Sequence, residues 1–230
     1  LGTRTVTTED FVVASYNLDG TPDTDFGEGG IATCDFGRYE EAEAMAVDAD
    51  GSIVVLGNAV ADGDGYSRFG LVRFSSQGIL DDEFGGDGLV QMKFESNTLA
   101  GPTPRDLAID SATGKIIAVG YTNDTPSRFI VARFMPDGDL DPSFSGDGAA
   151  YAEIFESAMA LAVTVQSNGP DTDGDVIVAG KAYHVTGVSK GTFAALARYQ
   201  ADGAPDQDFG APSIIIGDVR QSEGNSGNTA

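Results

Sequence analysis

The chain has 230 residues, 41% of them apolar, with 36 acidic side chains against 13 basic ones and a formal net charge of −23. This length and apolar content allow one large β domain or two small ones and exclude a chain disordered by composition. The charge excludes nucleic-acid binding, which needs clustered Lys and Arg, and no apolar run approaches the roughly 20 residues of a membrane-spanning helix. Such a surface suits divalent cations, a cationic partner or a saline extracellular medium. The lone cysteine, Cys34, excludes an internal disulfide and a cysteine metal cluster, and its apolar neighbours point to a buried small residue.

In chain order, the first apolar segment is FVVASY (11–16), followed by an acidic, Gly-containing turn, YNLDGTPDTDFG (16–27), and a second apolar segment, GIATCDF (30–36). Next comes EAMAVDADGSIVVLGN (43–58), which reads as strand, turn, strand. The same order then returns. FGLVRF (69–74) precedes the turn FSSQGILDDEFG (74–85) and GLVQMKF (88–94), and the hairpin RDLAIDSATGKIIAVGY follows at 105–121. FIVARF (129–134), the turn FMPDGDLDPSFS (134–145), GAAYAEIF (148–155) and the enlarged hairpin at 159–181 form a third round. AALARY (194–199), the turn YQADGAPDQDFG (199–210) and SIIIGDV (213–219) form a fourth. YEEAEAMAV (39–47) is the nearest approach to a helical pattern. Its later equivalents contain Pro104 or run into β-branched residues, so it too reads as strand.

The turns set the period. Gly20, Gly78, Gly138 and Gly203 are separated by 58, 60 and 65 residues. Three residues after each glycine stands an aspartate (Asp23, Asp81, Asp141, Asp206), and six after it a phenylalanine (Phe26, Phe84, Phe144, Phe209). A repeat of about 60 residues holding four short antiparallel strands points to a β-propeller blade, whereas a β-solenoid usually uses shorter repeats. In hairpin order strand a is the AMAV segment, b IVVLG, c FGLVRF and d LVQMKF. The expected fold is all-β: one propeller domain over residues 1–230, with copies at about 1–45, 46–108, 109–162 and 163–230. Leu1-Gly2 aligns with Leu56-Gly57 at the end of strand b, and residues 218–230 align with 35–46. Both ends are therefore expected to fall inside a repeat, as in an arc of a larger propeller or a ring of four blades closed by its own ends.

The run FIVARFMPDGDLDPSFSGDG (129–148), with GLVRFSSQGILDDEFGGDG (70–88) and the LAxDxxGKIxxVG-like hairpin, resembles the bacterial delta-60 repeat. The resemblance covers nearly the whole chain. It implies an exported, propeller-like, repeat-built protein and no particular reaction. The fourth copy departs from the pattern, with FGAPS (209–213) in place of FGGDG.

The turn acids permit two readings. Asp19, Asp23 and Asp25, and their counterparts Asp81, Asp82 and Glu83, Asp137, Asp139 and Asp141, and Asp202, Asp206 and Asp208, offer the hard oxygens that Ca²⁺ takes. Only the aspartate three after the glycine recurs in every copy, which favours a structural staple. The glycine would take positive φ, the aspartate would accept backbone N–H bonds, the phenylalanine would plug the gap between blades, and Arg73, Arg133 and Arg198 would pair with Asp81, Asp141 and Asp206.

The metal candidate is the insertion NGPDTDGD (168–175), where Asp171, Asp173 and Asp175 alternate around Gly174, in the manner of a calcium loop but without EF-hand spacing. ADGDGYS (61–67) is a poorer version. His184 is the only histidine, which argues against zinc or copper sites, and no G-x-S-x-G elbow is present. No catalytic residue and no bound cofactor other than Ca²⁺ is suggested. The sequence therefore points to a non-catalytic, secreted or surface-displayed bacterial propeller that binds protein or carbohydrate. Two alternatives stand beside it: a hydrolase or lyase using acidic channel residues, and a subunit of an extracellular assembly, either homo-oligomeric or continued in a longer chain.

Overall fold

Short runs of β-branched, aromatic and alanine side chains, punctuated by glycine turns, fold into strands because each run can bury one or both faces of a sheet. The computed structural model describes residues 10–37, 39–60, 66–94, 101–166, 174–186, 189–206 and 208–209. These contain strands and turns and no helix. Blade 1 is the antiparallel pair β1 (Phe11–Ala14) and β2 (Ile31–Cys34). Blade 2 is β3 (Tyr39–Val47), β4 (Ile53–Val60), β5 (Ser67–Phe74) and β6 (Leu89–Met92), paired in that order. Blade 3 repeats the meander with β7 (Pro102–Ile109), β8 (Ile116–Thr122), β9 (Phe129–Phe134) and β10 (Ala149–Ala152). Blade 4 comprises β11 (Ser157–Gln166), β12 (Asp175–Thr186) and β13 (Ser189–Tyr199). YEEAEAMAV is therefore strand β3, as its equivalents indicate. The expected last strand, SIIIGDV, and both chain ends lie outside the described residues.

Among the described residues no sheet closes on itself, and the four sheets are arranged as an open arc of propeller blades. The apolar core is divided into three layers, one between each pair of neighbouring sheets. Each blade thus has a near face, toward the preceding blade, and a far face, toward the next. On β5 the far face carries Phe69 and Leu71, packed toward blade 3, while the near face carries Val72 and Phe74, packed toward blade 1.

A glycine contact sets the spacing of the layers. A β-bulge interrupts each innermost strand, between Ala42 and Ala44, Pro104 and Asp106, and Ala160 and Ala162. Opposite the bulges lie Gly57, Gly120 and Gly180 of strand b. A Cβ on these glycines would stand 2.6, 2.8 and 2.8 Å from the ring tips of Phe11, Phe69 and Phe129, which project from strand c of the preceding blade. The phenylalanine can lie flat on the next blade only where no side chain intervenes. Pro104 is tolerated in β7 because that strand is an edge of its sheet.

Phe69 is fully buried in this contact, so Phe69→Ala is expected to cost about 3–5 kcal/mol in urea denaturation. Met45 points from the near face of β3 and is 56% exposed, so Met45→Ala is expected to change stability by less than about 0.5 kcal/mol.

Candidate functional site

The c–d turns carry the repeated charged residues. In each turn the glycine N–H bonds back to the carbonyl three residues earlier, at 2.9 Å for Gly20 and Gly78, 3.0 Å for Gly138 and 2.8 Å for Gly203. All four adopt positive φ, from 73° to 94°. The following aspartate then closes a second small ring. Asp23, Asp81, Asp141 and Asp206 accept from the backbone N–H two residues on, at 3.3, 3.2, 2.9 and 2.8 Å.

The arginine on strand c makes this turn a latch between blades. Arg73, Arg133 and Arg198 donate from Nε to Asp81, Asp141 and Asp206 at 2.6, 2.8 and 2.5 Å. Each guanidinium also lies over the phenylalanine of its own turn, 4.8 Å from Phe84, 4.7 Å from Phe144 and 4.6 Å from Phe209. Beyond that ring, Arg73 donates to the Pro136 carbonyl and Arg133 to the Ala201 carbonyl, both in the turn of the next blade. The phenylalanine packs against the same neighbouring turn: a Cβ on Gly78, Gly138 or Gly203 would meet Phe26, Phe84 or Phe144 at 2.9, 3.0 and 3.0 Å. Backbone bonds complete the seam, from Gly27 N to Gln77 O and Gly85 N to Asp137 O at 2.8 Å, and from Ser145 N to Asp202 O at 2.7 Å.

Three segments, residues 49–84, 112–144 and 172–209, match the family model described as a β-propeller domain of unknown function (DUF5122). Each matched segment runs from the a–b turn through strands b and c to the latch, ending at Phe84, at Phe144 and at Phe209. The chain is a β-propeller repeat protein. A search of curated proteins finds none that matches.

The latch is not identical in every blade of the propeller. In blade 1 the arginine position holds Ser15, whose hydroxyl donates to Asp23 at 3.2 Å and cannot span to the next turn. In blade 3 Lys115 adds a second cation, 2.8 Å from Asp141. Burial opposes ionisation of Asp141, but hydrogen bonds from Lys115 and Ser143 and the Arg133 charge outweigh it and hold the carboxyl far below the usual carboxylate range. In blade 4 the position of Lys115 is taken by Asp175, so Arg198 faces two anions, Asp206 and, at 3.7 Å, Asp175.

That placement bears on the metal candidate. Asp175 is buried at the start of β12, and its pKa is raised by burial, with Arg198 pulling the other way. Asp171 and Asp173 lie outside the described residues, as do residues 61–65 of the poorer loop. His184 lies on the outer part of the β12–β13 hairpin. Its Nδ1 is 2.9 Å from Glu156, which also accepts from Val185 N at 3.1 Å, and its ring stacks on Phe155 with centroids 4.0 Å apart.

Sequence reasoning missed one acidic group. Oxygens of Asp10, Asp35 and Glu40 lie within 4.8 Å of one another beside blade 1, with Glu40 buried. Asp10 precedes β1 and Asp35 follows β2, so the β1–β2 hairpin sets them side by side, and the packing of β3 against blade 1 brings in Glu40. Burial, then the charges of Glu40, Asp35, Asp10 and Asp87, push the Cys34 thiol up to about 12. It is therefore a buried neutral thiol and not a nucleophile.

Replacing Asp141 leaves two cations facing each other in a buried seam, so Asp141→Asn is expected to cost about 3 kcal/mol or more in chemical denaturation. Asp23→Asn, where the carboxylate faces the Ser15 hydroxyl and no cation across the seam, is expected to cost only about 1 kcal/mol. The folded pKa of Asp141 is depressed, so its contribution is complete above the unfolded value of about 3.9 and fades as pH falls through the lower folded value. The stability gap between wild type and Asp141→Asn should therefore narrow below about pH 4.

Proposed function

We propose that the protein is a non-catalytic propeller scaffold or binding module of the delta-60 type, exported from or displayed on a bacterial cell, with protein or carbohydrate partners. The observation that carries this reading is the fate of the repeated charges. The arginine and aspartate that recur at the turns are engaged in joining one blade to the next. The innermost strands follow the same rule. Glu43 of β3 pairs with Arg105 of β7 at 3.0 Å, and Asp106 of β7 accepts from Val163 N of β11 at 2.8 Å. Acids that an enzyme would hold ready at the channel are here ties between sheets. Many of the other acids among the described residues face solvent, and the net charge of −23 suits a saline exterior.

The test is a screen of glycoside and ester substrates beside a protein and glycan binding array. Saturable binding without turnover is expected; turnover abolished by Glu43→Gln or Asp106→Asn would overturn the reading.

Calcium at Asp171, Asp173 and Asp175 would require Asp175 to leave Arg198. The melting temperature is therefore expected to be the same in EDTA and in excess Ca²⁺. A rise with Ca²⁺ that Asp171→Asn removes would restore the metal loop.

A further inference from the structure

We infer that the cavity between blades 3 and 4, beside Lys115 and Arg133, binds one neutral sugar ring. The inference rests on the binding-module reading and names the class of ligand such a module would take.

The cavity holds about 210 Å³, where the a–b turn of blade 3 faces β11 and the c–d turn of blade 4. Sites for drug-sized ligands begin at roughly 300 Å³, so this one has room for a single ring rather than a chain. Asp110, Thr113, Lys115, Arg133 and Ser143 line it with charges and hydroxyls, and Ile117 and Val165 give it an apolar wall. Lys115 bonds to Asp141 at 2.8 Å. Arg133, whose side chain is 7% exposed, donates to Asp141, to Ser143 and to the Ala201 carbonyl. An ammonium carries three donors and a guanidinium five, so both cations have more donors than these partners take. Asp110 accepts from Ala112 N at 3.0 Å with one oxygen and from the Thr113 hydroxyl with the other, and each oxygen has a second lone pair. Asp110 and Asp141 balance Lys115 and Arg133, so the cavity selects neither an anion nor a cation. Donors and acceptors side by side over an apolar wall suit a ligand with neighbouring hydroxyls on its edge and C–H groups on its face. A pyranose ring has that chemistry.

The repeat supplies the comparison. The corresponding space between blades 2 and 3 is built differently at three places. Pro136 stands where blade 4 has Ala201, and its Cγ lies 3.4 Å from where a Cβ on Gly114 would be. Ser52 stands where blade 3 has Lys115. Residues 48–52 make the a–b turn of blade 2, against the longer 110–115 in blade 3. From the shorter turn Asp48 reaches to 3.8 Å from the same point on Gly114. In blade 3 Asp110 is instead turned back onto Thr113, and among the described residues the matching point on Gly174 meets only Ala201 within 4 Å. Each difference widens the space or adds a polar group to it. The seam does not require them, since blades 2 and 3 join without them.

Saturation-transfer NMR on the full chain, with the methyl pyranosides of glucose, galactose and mannose, tests this. Saturable binding of at least one is expected, undisturbed by acetate or phosphate. Asp110→Asn keeps the turn but removes an ionic acceptor, and Lys115→Ser restores the residue of blade 2. Each should weaken binding at least about tenfold. Thermal melts check that both variants are folded, and Asp110→Asn carries the test alone if Lys115→Ser is not. No saturable binding of any of the three sugars would overturn the inference. So would folded variants that bind like wild type, or displacement of the sugar by acetate or phosphate, the mark of an ion site. Binding gained only when residues 168–173 are replaced by two glycines would overturn it too, because the chain itself would then fill the space. Each of these outcomes leaves the binding-module reading standing, since the protein and glycan array tests it separately.

Discussion

The structure depends on the seam between blades, where a phenylalanine from one turn lies against a glycine of the next. A single sheet of two to four strands has no second layer of its own to cover its apolar faces. Its apolar area is buried only where it faces another sheet. The distance and angle between sheets therefore decide whether any core exists. Two contacts of one kind set that geometry: Phe11, Phe69 and Phe129 against strand-b glycines at the inner end, and Phe26, Phe84 and Phe144 against turn glycines at the outer end. Both are close approaches that a single methyl group would block. Aliphatic packing can then vary between layers, with Leu71 where blade 3 has Val131, because the glycine contacts hold the spacing.

The charged part of the seam is built on that frame and is more variable. An arginine held by its own aspartate and laid over its own ring has little freedom left, so its reach to the next turn costs little further entropy. Where serine replaces it, blade 1 keeps the turn but loses the span. Residues 52, 115 and 175 occupy one position before strand b, yet they are Ser, Lys and Asp. The lysine gives Asp141 a second cation, and the aspartate gives Arg198 a second anion. Neighbouring seams of nearly identical backbone therefore differ in how they respond to acid, although all bury similar apolar residues.

Much of this was legible in the sequence. The Gly, Asp and Phe at fixed spacing, with the arginine five residues before the glycine, identify both the turn and its internal pairing, because all four residues lie within a dozen positions of one another. The strand order follows from hairpins whose partners are adjacent in the chain. Contacts between repeats were harder to read. Phe11 and Gly57, or Asp10, Asp35 and Glu40, meet only because successive sheets stack, and no local pattern marks them. Asp175 is instructive in another way. Its alternation with Asp171 and Asp173 suggests a ligand set, but its alignment with Lys115 places it at the mouth of strand b, facing Arg198. Position within the repeat, rather than the local run of acids, decides what that side chain touches.

A tandem repeat of this kind makes interfaces from the same surfaces it uses for folding. The far face of every blade is complementary to the near face of the next because both were shaped by one contact. Elsewhere in a protein an exposed Tyr16, Val12 and Ile31 would be unremarkable, since surfaces carry much apolar area. Here the equivalents of Tyr16, namely Phe74, Phe134 and Tyr199, are buried in the three following blades, so the same position becomes core wherever a preceding blade covers it. In this propeller one seam, repeated between successive blades, carries the fold.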